Sequence, residues 1–432
     1  MTTLFDEFAA SSPEAWKERL SKDLKGITFE DLSVEDRNGL IIRPFYTAAD
    51  LPAQAAAPAF THHDWGICAH IPVSDAKAAN AQALNELNNG ASALCFELDG
   101  STDLDTLLQG IELPYIHTRF SLSGKLPAFL QQAQRLQGLD ITICDDAIAR
   151  YTGGGNWDPA AAQTDFYTLF DTTKKISIDA RRYQDAGANS VWQLACSIAQ
   201  LNEYLHWLQL EGKTSELQQV DLSVSTGTDF FEEIAKLRAL HRLAGNLLAS
   251  YGIQASLHLH AETSDTYRSA FDSYSNLLRD TIAGMAAVLG GCHSLLIHPF
   301  DQAKTEANPF SSRMSRNQQL IFKEECYLHQ VADAAAGSFY LEQLTEQLSE
   351  KAWQVFKDIE TAGGLIAAFE LGMITTAIAA QAASWIEDYR SGKRVLIGVN
   401  KYINAKDEPK PAAPQKAKAG LQRVSLTEAL TV

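Results

Sequence analysis

From Trp65 onward the chain repeats one rhythm: a short, mostly apolar run, a polar turn, then a longer stretch whose apolar residues recur at helical spacing. The short runs are WGICAHI (65–71), SALCFEL (92–98), PYIHTRF (114–120), LDITICD (139–145), KKISIDA (174–180), VDLSVST (220–226), ASLHLHA (255–261) and HSLLIHP (293–299). Stretches such as 187–210, 230–250, 267–289 and 313–333 carry apolar positions three and four apart, the mark of a helix face packed on a sheet. Strands that alternate with helices and are almost continuously apolar belong to a parallel sheet covered on both faces. Eight such units in succession predict an α/β fold closed into a (β/α)8 TIM barrel, which takes ~250 residues. An open doubly wound sheet would show G-x-G-x-x-G after its first strand, and none is present.

Outside that rhythm the pattern changes. Leu4, Phe5, Phe8, Trp16, Leu20 and Leu24 predict an amphipathic helix over 4–25, punctuated by Ser12 and Pro13. LIIRPFY (40–46) predicts an extended piece, and TAADLPAQAAAPAF (47–60) a linker. Helical spacing returns over 340–360 and through GGLIAAFELG and MITTAIAAQAASWIEDYRSG, followed by a strand-like VLIGVNKY (395–402). The expected division is an N-terminal extended arm and linker (1–60), the barrel (61–335), a C-terminal helical extension (336–404) and a Lys/Pro/Ala-rich flexible tail (405–432). The arm has no core of its own, so Phe5, Phe8 and Trp16 are expected to need a partner surface.

Composition narrows the function. The 432 residues carry 36 basic and 53 acidic side chains, a net charge of −17, which repels phosphate backbones and argues against nucleic acid as a partner. No apolar run reaches the ~20 residues that span a bilayer, and no signal pattern opens the chain, so no membrane association and a cytoplasmic location are expected. The six cysteines form no CxxC pair, and Cys68, Cys95, Cys144 and Cys292, in or beside apolar runs, read as small core residues in a reducing compartment.

In such a barrel, chemistry sits at the carboxyl ends of the strands. The polar residues placed there by the pattern are His70, Glu97, His117, Arg119, Asp145, Asp179, Arg181, Arg182, Ser225, His258, His260, Glu262 and His298. Arg181 and Arg182 suit a carboxylate or phosphate, against a plain ion-paired rim. The HLH run puts His258 and His260 on one strand face, as a metal pair requires. No second pattern with ligand spacing accompanies it, so no metal site is expected. YTGGGNWDP (151–159) lacks the lysine and helix of a phosphate loop and reads as a flexible loop.

Several long segments carry a resemblance. DARRYQDAGANSVWQLACSIAQLNEYL (179–205), DTIAGMAAVLGGCHSLLIHPFD (280–301), SSRMSRNQQLIFKEECYLHQVADAAAGSFYLEQLTEQL (311–348) and SGKRVLIGVNKY (391–402) resemble, in the same order, segments of the coenzyme-B12-dependent acyl-CoA mutases. With the barrel, the likeness spans roughly residues 65–402. It implies a barrel along whose axis an acyl-CoA threads, and a separate domain holding adenosylcobalamin through a D-x-H-x-x-G histidine. The cofactor carries the radical step there, while the protein orients substrate and excludes water.

The chain departs from that pattern in three places. No histidine has Asp two residues before it, and no cobalamin-binding domain is expected. Where catalytic chains carry a segment like RQYAGFSTA, this one reads RPFYTAADLPAQAAAPAF (43–60). No arginine falls between Arg150 and Arg181, where catalytic chains place a carboxylate clamp. ETSD (262–265) resembles the family's QTSG, which aligns His260 with the histidine that hydrogen-bonds the substrate carbonyl, here a relic.

The resemblance therefore points to a small, non-catalytic subunit. Its partner would be a homologous large (alpha) subunit that binds adenosylcobalamin and turns over the acyl-CoA, with no cofactor on this chain. His260, Arg181 and His117 are the candidate substrate-rim residues. Two other readings stay open: a catalytic substrate-binding chain with cobalamin supplied by a separate polypeptide, and an unrelated metal-dependent barrel enzyme.

Overall fold

The computed structural model describes residues 12–52, 59–124, 126–303, 308–404 and 420–431. The eight apolar runs are its eight barrel strands: β1 (Gly66–Pro72), β2 (Ala93–Leu98), β3 (His117–Leu122), β4 (Ile141–Cys144), β5 (Lys175–Asp179), β6 (Gln219–Thr226), β7 (Ser256–Thr263) and β8 (Ser294–Leu296). All pairings between them are parallel, in the order β4-β3-β2-β1-β8-β7-β6-β5. This is the predicted (β/α)8 barrel. β4 and β5 lie side by side without a hydrogen-bonded backbone ladder among the described residues.

Alternation along the strands sorts two environments. Ile176 and Ile178 on β5, Val220, Leu222 and Val224 on β6 and Leu259 on β7 point outward into one helix-covered core; Leu94, Phe96 and Phe120 point into a second. The first core is built on helices α3 (Ser190–Leu210) and α4 (Phe230–Ser250), crossed on the outside by α7 (Phe339–Thr361). Between them in sequence come α5 (Ser273–Leu289) and α6 (Pro309–Leu320); α2 (Ala76–Asn88) precedes them all. The helices start at capping residues: Asn189, Asp272 and Asn308 accept backbone N–H groups of the first turns of α3, α5 and α6.

The arm differs from the expectation. Among the described residues helix α1 covers Pro13–Asp23 and buries no residue, although Trp16 stacks on Phe45 at 4.6 Å. The segment after it docks on the chain itself. Asp36 Oδ1 accepts from the backbone of Asn38 and Leu40 (both 2.8 Å), and the resulting turn drives Leu40, fully buried, into the main core. Asn38 Oδ1 accepts from Ser190 N (2.9 Å), and Arg37 lies over the Trp385 ring at 4.7 Å. Residues 36–40 thus have a surface of their own chain to bury against, while Ile41 and Phe45 stay exposed. Phe5 and Phe8 lie outside the described residues.

The C-terminal side brings two further corrections. VLIGVNKY is a turn closed by Gly398 N donating to Lys401 O (2.8 Å), not a strand, because Gly398 adopts φ +78°. Residues 420–431, assigned by composition to the flexible tail, are packed: Leu426 is fully buried against Tyr389, Leu396 and Val399, and Leu426–Thr431 form a short helix beside α8 (Met373–Arg390). Residues 405–419 lie outside the described residues.

Candidate functional site

Apart from Leu296 on β8, the inward positions of the strands are small or polar. Gly66, Cys68, Ala93, Cys95, Ser177, Ser223 and Ser294 stand where barrels of this class commonly carry Val, Ile or Leu. The space they leave is filled by long charged side chains reaching across it. Arg119 on β3 extends to Asp221 on β6, with Nη1 2.6 Å from Oδ2 and Nη2 2.9 Å from Oδ1, and Nη2 also donates to Ser223 Oγ (2.7 Å). The two strands are not sheet neighbours, so the pair crosses the barrel interior. Arg119 is 1% exposed and Asp221 0%. Burial alone would raise the Asp221 carboxyl, but the Arg119 charge and the hydrogen bond from His258 outweigh it and hold it well below the usual range. The axis of the barrel is closed at this level.

Above the plug, toward the carboxyl ends, a second network surrounds Glu262. His298 Nε2 lies 2.9 Å from its Oε2, His260 Nε2 3.3 Å from its Oε1, and Arg181 reaches Oε1 while also gripping both oxygens of Asp179 at 2.7 and 2.9 Å. His260 Nδ1 meets Ser294 Oγ at 2.7 Å, and the ring is fully buried. Burial, with the Arg119 charge, pushes the His260 imidazole down to about 3, against the pull of Glu262. His260 is therefore a neutral, buried core group. Arg181 is likewise committed to two carboxylates. Arg182 beside it makes no ion pair among the described residues and lines a cavity of about 250 Å³ with Arg150, Asp145 and Cys144.

His117 does not reach this rim. The pattern placed the end of its strand at 120, but β3 begins at His117, so the side chain lies at the amino end of the barrel. His258, in the first turn of β7, is there too. Its Nδ1 meets Asp221 Oδ2 at 2.7 Å, and its ring lies 4.5 Å from that of His117. Alternation does put His258 and His260 on one face, yet each serves a different network.

His117, Asp221 and His258 offer ligand atoms within 4.8 Å of one another. A divalent ion on Asp221 would share that carboxylate with the Arg119 guanidinium. Like charges ~4 Å apart cost about 4 kcal/mol per unit charge at an effective dielectric of ~20, which favours the hydrogen-bonded Arg119, Asp221 and His258 over a metal centre.

Sequence reasoning missed the company His258 keeps. Its ring lies 5.2 Å from that of His293, which stacks on His62 at 3.7 Å, with His241 another 5.8 Å away. Burial lowers all four, His241 to about 4 and His293 to about 2, so the stack is neutral. Nothing in the spacing of 62, 241, 258 and 293 signals it.

In the glycine-rich loop a Cβ on Gly155 would fall 2.8 Å from Arg150 O, and one on Gly420 would fall 2.5 Å from Gly154 N, so close backbone approach requires glycine at these two positions.

Fold and site together define a (β/α)8 barrel whose axis is filled by its own side chains. The chain belongs to the methylmalonyl-CoA mutase family, whose model matches residues 163–429. It is similar to the methylmalonyl-CoA mutase small subunit of Porphyromonas gingivalis, 32% identical over 93% of this chain and 71% of that one. It is similar also to the small subunit of Streptomyces virginiae (29%, covering 99% and 76%) and to the methylmalonyl-CoA mutase of Escherichia coli (29%, covering 92% and 65%). No helix among the described residues is long and apolar enough to cross a membrane.

Proposed function

We propose that this chain is the non-catalytic small subunit of a heterodimeric, adenosylcobalamin-dependent methylmalonyl-CoA mutase, which interconverts methylmalonyl-CoA and succinyl-CoA. In this reading a homologous large subunit binds the cofactor and performs the rearrangement, and the barrel (61–335) with its helical extension (336–404) supports it.

The observation that carries the reading is the Arg119–Asp221 pair across the axis. The family's mode of binding threads a thioester chain down that axis, and here two fully buried, mutually hydrogen-bonded charges occupy it. Admitting a chain there would break that pairing and leave a charge without its partner inside the barrel, which costs several kcal/mol. His260 supports the same reading, since its buried imidazole bonds Ser294 through Nδ1 and turns Nε2 toward Glu262 Oε1 at 3.3 Å. The residues present do not fit adenosylcobalamin either. The histidines on the carboxyl side are engaged by carboxylates, His70 by Glu97 (3.1 Å) and His260 and His298 by Glu262, and none follows Asp by two positions. No chemical step is therefore assigned to this chain; its residues hold a closed barrel.

Co-expression with a large-subunit homologue tests the reading. The two chains are expected to co-purify, turnover to require the large subunit, and this chain alone to show no micromolar affinity for adenosylcobalamin. Turnover by this chain with only a free cobalamin-domain polypeptide, cofactor and substrate would establish the catalytic reading instead.

A further inference from the structure

The helices outside the barrel pack on their neighbours, α3 on α4, α4 on α5 and α5 on α6. Where α6 comes round to α2, the layer is joined at one end only. Leu320, closing α6, packs over Gly90 just after α2, and Arg316 on α6 pairs with Glu86 on α2. On the amino side of that contact the two helices border a cavity of about 490 Å³, larger than the one at the carboxyl ends. Its floor is the outer side of the barrel wall, Ile67 and Ala69 of β1 and Ile297 after β8. Protein interiors seldom keep a void much larger than a water molecule. An apolar cavity of ~150 Å³ takes a benzene ring, so this one has room for a two-ring body with a short polar arm.

The chemistry of the walls narrows what fits. Gln82 on α2 and Ser312 on α6 line the cavity, and their side chains make no hydrogen bond among the described residues. Arg316 Nε, buried in the wall, has no partner there either. Glu86 and Arg316 are both buried, and a buried ion pair is a costly way to join two helices, since apolar residues of like volume often hold them as well or better. What the pair adds is a donor beside an acceptor with no net charge. An anion would have to draw Arg316 away from Glu86, and a cation Glu86 away from Arg316. A neutral group that accepts and donates through adjacent atoms disturbs neither: its carbonyl takes an N–H from Arg316 or Gln82, and its own N–H goes to Glu86 or Ser312. Carboxamides and lactams have that edge.

We propose that the cavity between α2 and α6 is a binding site for a small, uncharged molecule with a largely apolar body and a carboxamide or lactam end. The site lies outside the barrel wall and needs neither the large subunit nor the cofactor, so it stands or falls separately from the subunit assignment.

The test titrates the full chain by calorimetry with three probes that share one apolar body: indole-3-acetamide, indole-3-acetate and tryptamine. The amide is expected to bind once per chain, at least tenfold tighter than the anion or the cation. Ser312→Phe, which fills the cavity from α6, should weaken the amide at least tenfold without lowering the urea midpoint. Arg316→Met with Glu86→Leu should keep the chain folded and bring the three affinities within a few-fold of one another. Binding of none of the probes, equal binding of all three by the unsubstituted chain, or preference for a charged one would overturn the proposal. So would amide binding untouched by Ser312→Phe, which would place the probe elsewhere. If Ser312→Phe fails to fold, Ala81→Phe, from the exposed rim on α2, carries the same test.

Discussion

Replacing Asp221 with Asn is the most direct probe of the closed axis. The carboxylate takes Arg119 through both terminal nitrogens and His258 through Nδ1, and none of it reaches solvent. The amide keeps the volume and removes the charge, leaving the Arg119 guanidinium uncompensated inside the barrel. Breaking a buried pair from one side costs ~3–5 kcal/mol, a large part of the ~5–15 kcal/mol that holds a folded protein together. Removing both partners is different, because Arg119→Met with Asp221→Leu also removes the cost of desolvating two ions, and such replacements are often neutral. The double variant is therefore expected to regain at least half of the single variant's loss. Urea unfolding followed by tryptophan fluorescence measures both. The sign with pH follows from the depressed Asp221 value: its stabilisation is full above the ordinary carboxylate range and is lost as pH falls toward the lowered folded value. A single variant within ~1 kcal/mol of wild type, or a double variant as unstable as the sum of the two singles, would refute the coupling.

His260→Gln should leave kcat/KM of the assembled complex within a few-fold. A hundredfold loss, about 2.7 kcal/mol of barrier, would mean this barrel takes part in the reaction. His241, whose Nε2 bonds Gly291 O at 2.8 Å, is pushed by burial to about 4 from an ordinary 6.5. Between those values the unfolded chain binds the extra proton, so stability falls as pH drops from 6.5 toward 4, by ~3 kcal/mol for this one ring. His241→Gln should flatten the curve by that share. Asp146, Asp185 and Asp280, raised to about 6 chiefly by burial, act in the opposite sense. They are present in both proteins, so they drop out of the difference; parallel pH curves for the two proteins would contradict the assignment.

The barrel was legible because its strands are buried on both faces. Each is a short apolar run, and the observed strands fall on the eight runs within a few residues; the widest differences are at β3, which starts at His117 where the run starts at 114, and at β8, which ends at Leu296 where the run ends at 299. The site was legible only as a set of residue types. Which of them meet depends on register and on contacts across the barrel: Arg119 and Asp221 are 102 positions apart, and no periodicity pairs them. His117 was misplaced for the related reason that an apolar run shows where a strand lies better than where it starts. The C-terminal segment was lost to averaging. The Lys/Pro/Ala composition of 405–419 was extended over LQRVSLTEALTV, although Leu421, Val424, Leu426 and Leu430 already form an apolar pattern there.

The small inner side chains and the cross-barrel pair explain each other. A barrel lined by Gly66, Ala93, Cys68, Cys95, Ser223 and Ser294 cannot fill its centre with aliphatic branches from those positions, and an unfilled centre of that polarity would leave Ser223 and Ser294 without partners. Arg119 and His260 supply what is missing, reaching inward far enough to occupy the space and carrying the donors and acceptors that the serines need. A lining of this kind suits a tube that holds a polar chain, which is what the family resemblance implies for catalytic members. Here the same lining is completed by the protein's own charges. The axis could be reopened only by removing the plug together with its partners, which is why the paired Arg119 and Asp221 replacement, rather than either alone, separates a barrel that is closed by design from one that is merely empty of ligand.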